Sequence, residues 1–145
     1  MRFIRRNELH HRDTETRRDV VSVETNRISG AIVNCAFAVH QNLGPGLLES
    51  VYETCLHYEL TTNGFKVDRQ IALPVTYKEL SLDTGLRLDL IVNDCVCVEL
   101  KSVERVLPIH KAQMLTYLKL SGLRVGLLIN FNVPLIKDGI TRVVL

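Results

Sequence analysis

The sequence predicts one α/β domain in which a mixed central β-sheet is flanked by helices. Apolar residues recur at helical spacing from about residue 28 to residue 60 and again after residue 108. Between residues 65 and 100 they alternate with polar residues instead, as in β-strands. The resulting order is helix, helix, three strands, helix, strand, without an internal repeat, and 145 residues is the length of one domain.

Composition sets the class of protein. With 46% hydrophobic and 23% charged residues, the chain is typical of a globular protein, and no apolar run reaches the roughly 18 to 20 residues of a membrane helix. The net charge of +2 is too small to indicate nucleic-acid binding by itself, so such a function must be argued from a site. Without a secretory signal or a zinc-knuckle spacing, the four cysteines are expected to be reduced thiols of a cytoplasmic protein: Cys35, Cys55, Cys95 and Cys97.

The first 25 residues carry mixed charge and no sustained apolar period. We predict a flexible N-terminal arm over residues 1–25 and a single domain over residues 26–145. A first helix is expected from Arg27 to Leu43 with Asn26 as its cap, followed by a break at Gly44-Pro45-Gly46.

A second helix is expected to start at once after this break and to end at Asn63-Gly64. Its apolar side is predicted to hold Leu48, Val51, Tyr52, Cys55, Leu56 and Leu60. Three strands are predicted next, over residues 65–77, 87–92 and 95–100, and then a helix over residues 109–120. Residues 125–129 and 141–145 complete the predicted sheet.

The strands at 87–92 and 95–100 separate aliphatic from charged residues by parity. Because successive side chains of a strand point to opposite faces, the even positions form one aliphatic face: Leu88, Leu90, Val92, Val96, Val98 and Leu100. Asp89, Glu99 and Lys101 then share the other face. A turn of odd length, most naturally three residues, is needed to bring Asp89 opposite Cys97 or Glu99.

Two carboxylates on neighbouring strands repel each other unless a cation or a proton lies between them, and carboxylate oxygens suit Mg²⁺ or Mn²⁺. Lys101 projects from the same face, where its amine can stabilise developing phosphate charge or orient an attacking water. The alternative interpretation is an ordinary solvated face of a sheet, on which charged residues are also common.

Three motifs resemble one family. Segment 46–52 (GLLESVY) resembles the GxxExxY signature, and Asp89 followed by Glu99-Leu100-Lys101 resembles the core of the PD-(D/E)XK nuclease superfamily. Segment 113–117 (QMLTY) resembles the QxxxY element of RecB-type nuclease domains. The resemblance covers nearly all of residues 27–145 and implies a restriction-endonuclease-like fold and a Mg²⁺- or Mn²⁺-dependent nuclease.

By this resemblance, Asp89, Glu99 and Glu49 are the metal ligands, and Lys101 is the catalytic lysine beside them. Gln113 and Tyr117, four residues apart on one helix face, are expected to contact a phosphate or to fix Lys101. His110, one turn earlier, is either a third substrate-binding residue or a structural histidine. Glu49 also has a structural interpretation, because the helix dipole favours an acid in the first turn.

The sequence leaves three functions open. The first is hydrolysis of DNA or RNA phosphodiesters, with nucleic acid as partner and no membrane involved. The second is a catalytically silent module of the same fold that binds nucleic acid or protein. The third is a metal-dependent enzyme acting on a small phosphorylated molecule. A second copy of the chain or a protein partner is a further candidate, because so small a domain offers little binding surface.

Overall fold

The computed structural model describes residues 21–145, so residues 1–20 of the predicted arm lie outside the described residues. The first helix, α1, spans Val23–Leu43. Ser22 caps it, with its Oγ accepting a hydrogen bond from the backbone N–H of Thr25 at 3.0 Å. The prediction of Asn26 as the cap is therefore wrong, because Asn26 lies inside the helix and its side-chain oxygen accepts from Arg142. The helix begins three residues earlier than the predicted domain.

Helix α2 spans Glu49–Thr62 and follows the Gly44-Pro45-Gly46 break, where both glycines adopt positive φ angles of 70° and 94°. It buries Tyr52, Leu56 and Leu60, as predicted. Leu48 is its N-cap and is 73% exposed, and Val51 is also exposed, so their predicted burial is wrong. Both lie off the helix face that Tyr52 turns to the core. Among residues 21–145, no helix has the length and apolarity required to cross a membrane.

The strands form one five-stranded sheet and one separate hairpin. Their bounds are β1 Val67–Ala72, β2 Val75–Tyr77, β3 Leu80–Leu82, β4 Arg87–Val92, β5 Val96–Lys101, β6 Val125–Asn130 and β7 Ile140–Val144. The main sheet has the order β1-β4-β5-β6-β7, in which β5 and β6 are parallel and the other neighbours are antiparallel. Strands β2 and β3 pair with each other in the separate hairpin.

The region predicted to hold three strands therefore holds five. Pro74 separates β1 from β2 because proline has no N–H to donate to a ladder. A third helix, α3, spans Pro108–Ser121, and a short 3₁₀ helix at Ile136–Gly139 precedes β7. The predicted order of the other elements is confirmed: α3 connects the parallel strands β5 and β6.

Both faces of the main sheet are covered. The first core lies between the sheet and helices α1 and α2, and it includes Ile28, Ile32, Tyr52, Leu56, Leu90, Val98, Leu100 and Phe131. The second core lies on the α3 side and consists of Leu73, Leu88, Cys97, Met114, Tyr117, Leu118, Leu128 and Val143. Cys97, one of the odd positions predicted to share the charged face, is buried in this second core, so α3 covers that part of the predicted face.

One aliphatic residue breaks the predicted parity. The even positions of β4 and β5 lie in the first core, except Leu88, which lies in the second. The regular pairing of the two strands ends at Leu90↔Val98, so Asp89 and Leu88 have no partner in the β4–β5 ladder. Because β4 separates from β5 at this point, alternation no longer fixes the side of the sheet on which Leu88 lies.

Tyr52 fixes the loop before α2. Its hydroxyl donates to the Gly44 carbonyl at 2.6 Å and accepts from the Leu47 N–H at 3.1 Å, while its ring stacks on Phe131 at 4.4 Å between centroids. One side chain thus connects the first core to the chain entering α2.

We expect Tyr52→Phe to lower the free energy of unfolding by about 1 to 2 kcal/mol, since both backbone partners lose their hydrogen bond. Urea denaturation measures the change. Tyr58→Phe on the same helix is the matched control, because Tyr58 is 67% exposed and its change should stay within about 0.5 kcal/mol. Equal effects of the two variants would contradict this role for Tyr52.

Candidate functional site

The turn between β4 and β5 sets the register of the site. Val92 pairs with Val96, so the turn contains three residues, and Leu90 pairs with Val98. The predicted odd-length turn is therefore confirmed. Asn93 and Asp94 accommodate it with positive φ angles of 49° and 55°, which asparagine and aspartate tolerate better than most residues. This register places Asp89 opposite Glu99, immediately beyond the last regular pair, Leu90↔Val98.

Asp89 and Glu99 hold each other's strands together by side-chain hydrogen bonds. The backbone N–H of Asp89 donates to Glu99 Oε1 at 3.0 Å. In return, the backbone N–H of Leu100 donates to Asp89 Oδ2 at 2.8 Å. The two carboxylates thus lie side by side in the gap where β4 and β5 separate, and the shared reach of one cation stays a prediction.

The electrostatics of this pair are unfavourable to two full charges. Burial, and after it the charge of Asp89, together raise the pKa of Glu99 to about 8, against the opposing effects of the Asp89 N–H and of Lys101. The pKa of Asp89 is raised chiefly by burial, with Glu53 and Glu49 adding repulsion while the Leu100 N–H lowers it. The site therefore concentrates carboxyl groups whose simultaneous ionisation is unfavourable.

Lys101 is the last residue of β5 and is half-buried. Its position two residues beyond Glu99 lets its charge lower the pKa of that carboxyl. Within residues 21–145 no carboxylate lies within salt-bridge distance of its amine. The ammonium group is thus near the acids and available to a ligand.

Helix α2 brings two further acids to the site. Glu49, at its first position, is exposed and lines a cavity of about 170 Å³ together with Ser50, Glu53, Gln70, Asp89 and Leu100. Ser102 supports this placement, because its Oγ donates to the Leu47 carbonyl at 2.6 Å and so connects the loop before α2 to the end of β5.

Sequence reasoning missed Glu53, which lines the same cavity. It is only 8% exposed, and its carboxylate accepts from Gln70 Nε2 at 2.6 Å and from Arg69 Nη2 at 3.3 Å. One sequence signal could have found it. Glu53 follows Glu49 by four residues, and side chains at this spacing lie on the same helix face.

Tyr117 on α3 faces the acids from the second core. It is 7% exposed, and the pKa of its phenol is raised by burial and then by the charges of Glu99 and Asp89, with a hydrogen bond from Gln113 opposing. Gln113 itself is exposed. These two predicted substrate-binding residues are therefore close to each other on α3, and the charges of Glu99 and Asp89 reach Tyr117.

His110 lies at the N-terminal end of α3 and has a structural contact. Its Nδ1 accepts from the Leu107 N–H at 3.0 Å and so caps the helix. It also lines a groove of about 610 Å³ formed with residues 103–105 and Leu107, none of which lines the acidic cavity. A contact between His110 and substrate stays a prediction.

The residues at the site fit a hard divalent cation by their chemistry. Mg²⁺ and Mn²⁺ take oxygen ligands, and Asp89, Glu99 and Glu49 offer carboxylate oxygens where like charges raise the pKa of Asp89 and of Glu99. In the part of the chain that the structure describes, no group of three or more His, Cys, Asp and Glu side chains already has the arrangement of a metal site. The kind of ligand atom at the site therefore suits a divalent cation, although the side chains are not arranged in a complete coordination shell.

A mixed sheet flanked by helices, with two acids and a lysine where two strands separate, defines a nuclease-like α/β fold. The family model of the PD-(D/E)XK nuclease superfamily matches residues 26–143, and the chain belongs to this superfamily. The predicted fold class is thereby confirmed. Nuclease-type chemistry and a general use of divalent metals are properties of the superfamily. Neither curated proteins nor solved structures give a significant match.

The raised pKa of Glu99 predicts how stability depends on pH without metal. Its value of about 8 in the folded state exceeds the 4.5 of an ordinary glutamate, so the folded protein holds this proton more tightly. The contribution of this proton to the free energy of unfolding is fully present below pH 4.5 and is lost as the pH rises through about 8. We expect the Tm in EDTA to fall over this window, and to fall less in Glu99→Gln, which has no proton to lose there. Identical slopes in the two proteins would contradict the raised pKa.

Proposed function

We propose that the protein is a divalent-metal-dependent nuclease that hydrolyses phosphodiester bonds of DNA or RNA with Mg²⁺ or Mn²⁺. The observation that carries the proposal is the pair of crossed hydrogen bonds that places Asp89 and Glu99 side by side, next to Lys101. Within the superfamily, segment 46–52 and the Gln113–Tyr117 spacing support assignment to the GxxExxY family with a RecB-type helix.

In this proposal Asp89 and Glu99 hold the cation, and Glu49 completes the ligand set from the rim of the cavity. A bound divalent ion supplies Lewis-acid stabilisation of phosphate charge and lowers the pKa of water. The backbone amides of Asp89 and Leu100 keep both carboxylates in place, so little reorganisation is needed when the ligand arrives.

Lys101 acts on the phosphate side of the reaction. Its ammonium group is free of a carboxylate partner among the described residues, and it stabilises the charge that develops on the phosphoryl oxygens. Gln113 and Tyr117 line the approach from α3, where the exposed amide of Gln113 contacts a phosphate. His110 contacts the nucleic acid further along, beside the separate groove at the start of α3.

The partner is therefore nucleic acid, with a second copy of the chain or another protein supplying further binding surface. A cytoplasmic location agrees with the four free cysteines. The competing function is a silent module that keeps the fold and binds without turnover. Incubation with single- and double-stranded DNA and RNA in Mg²⁺ or Mn²⁺, compared with Glu99→Ala, separates the two, since only the nuclease gives cleavage that the variant loses.

Metal binding should stabilise the folded protein, because the ion relieves carboxylate repulsion and binds only the folded state. At a metal concentration 100 times the Kd, the gain is about 2.7 kcal/mol, which a thermal scan detects as a higher Tm. Glu99→Gln, with one ligand charge removed, should lose most of the shift. No shift of the wild type at millimolar Mg²⁺ or Mn²⁺ would count against the site.

Lys101→Met should abolish cleavage while preserving the fold and the metal-induced rise in Tm. The substitution removes the ammonium charge but keeps much of the aliphatic stem. Loss of one preorganised group that acts on transition-state charge typically lowers kcat about 10²- to 10³-fold. Single-turnover cleavage of a labelled oligonucleotide measures it.

Lys119→Met is the matched control. Lys119 is exposed in the last turn of α3, and that helix leads to Val125, which pairs with Val96 at the opposite end of β5 from Lys101. Its cleavage rate should equal that of the wild type. If Lys101→Met cleaves as fast as this control, the role assigned to Lys101 is wrong.

A further inference from the structure

Gln70 lies within β1 but does not have the backbone conformation of a β-strand. Its φ is 49°, in the left-handed region that residues other than glycine and asparagine rarely adopt. Its neighbours Arg69 and Ile71 pair regularly with Leu90 and Leu88, whereas Gln70 itself has no partner in this register. Strained positions of this kind persist where the surrounding structure enforces them, and they concentrate at functional sites.

The side chain of Gln70 connects two acids of the cavity. Its Nε2 donates to Glu53 Oε1 at 2.6 Å and to Asp89 Oδ1 at 3.4 Å. A side-chain amide carries two hydrogens, so one is available for each carboxylate. The shorter contact is with Glu53, which is therefore the firm anchor from which the amide reaches Asp89.

Glu53 is itself held rigidly. It is buried, and its second oxygen accepts from Arg69, whose guanidinium also donates to Thr54 Oγ1 at 3.1 Å. Arg69 also forms a salt bridge with Glu53 and balances its charge, so Glu53 is poorly placed to bind a cation directly. Asp89 differs, because no cationic side chain among residues 21–145 forms a salt bridge with it.

We propose that Gln70 is a positioning residue for metal binding: anchored by Glu53, its amide fixes the orientation of the Asp89 carboxylate toward the cation. This inference rests on the proposed metal-dependent function and adds two residues that act through Asp89. Hydrogen-bond partners of ligating carboxylates typically contribute 10- to 100-fold to metal affinity.

Calorimetric titration of the full chain with Mn²⁺ alone tests the inference. We expect Gln70→Ala to weaken Mn²⁺ binding by about 10- to 100-fold. Glu53→Ala should weaken it as well, and the double variant should bind no more weakly than Gln70→Ala, because the two residues act through one contact. Independent, additive losses would mean that Glu53 binds the cation itself and would overturn the proposed arrangement.

Two further variants protect the test against general loss of structure. Lys78 has a similar φ of 53° and is exposed in the turn between β2 and β3, which pair with each other in the hairpin separate from the main sheet. Lys78→Ala should therefore leave Mn²⁺ affinity unchanged. If Glu53→Ala does not fold, Glu53→Gln replaces it: the amide oxygen still accepts from Gln70, so affinity should stay closer to the wild type than in Gln70→Ala.

The outcomes distinguish the two levels of the proposal. Wild-type binding of Mn²⁺ with equal affinity in Gln70→Ala would overturn the role of Gln70 and leave the nuclease proposal intact. Failure of the wild type to bind Mn²⁺ would overturn the metal-dependent function, and the positioning role with it. Weaker binding in Gln70→Ala, together with unchanged binding in Lys78→Ala, supports the inference.

Discussion

The hydrogen bonds exchanged between Asp89 and Glu99 and the backbone of the opposite strand are the interaction on which the site depends. Where β4 and β5 separate, the N–H groups of Asp89 and Leu100 lose their backbone partners and must find others. The two carboxylates supply them. The acids therefore stabilise the opening of the sheet that brings them together. The cost is their burial, which raises the pKa of both, with repulsion from neighbouring acids adding to the effect.

The surrounding structure keeps this opening in one shape. Asn130, almost fully buried at the end of β6, accepts from the Val103 N–H at 3.1 Å and donates to the Val103 carbonyl at 2.9 Å. This clamp fixes the chain just after Lys101. Ser102 holds the loop before α2 from the same segment, and Tyr52 holds that loop from the first core. The helix acid Glu49 and the strand residue Lys101 are thus positioned by one connected set of contacts.

The sequence was sufficient to predict the structure where strand alternation and turn length allowed only one arrangement. Alternation along β4 and β5 together with the three-residue turn placed Asp89 beside Glu99, and the structure confirms that placement. Alternation could not predict the position of Leu88, because it assumes a regular ladder and the ladder stops at Leu90. The cap of α1 was misplaced because residues 23–25 lack the apolar period by which a helix is recognised, although Ser22 satisfies its first turn.

Gln70 was beyond sequence reasoning for a different reason. Its importance comes from a backbone angle and from contacts to two acids that are 17 residues before it and 19 residues after it. Neither the backbone angle nor these long-range contacts can be predicted from the periodicity or the residue spacing of the sequence. Glu53, in contrast, had a readable signal in its spacing from Glu49. Local patterns thus identified the residues proposed to bind the cation, while the residues that orient them required the tertiary structure.

The opening between β4 and β5 is proposed to be a cation site, and anomalous difference density from a crystal of the full chain soaked in Mn²⁺ shows whether an ion binds there. We expect a peak in contact with the carboxylates of both Asp89 and Glu99. A peak bound by other residues, or no peak while both carboxylates keep their hydrogen bonds to the opposite strand, would rule out a cation site in this opening.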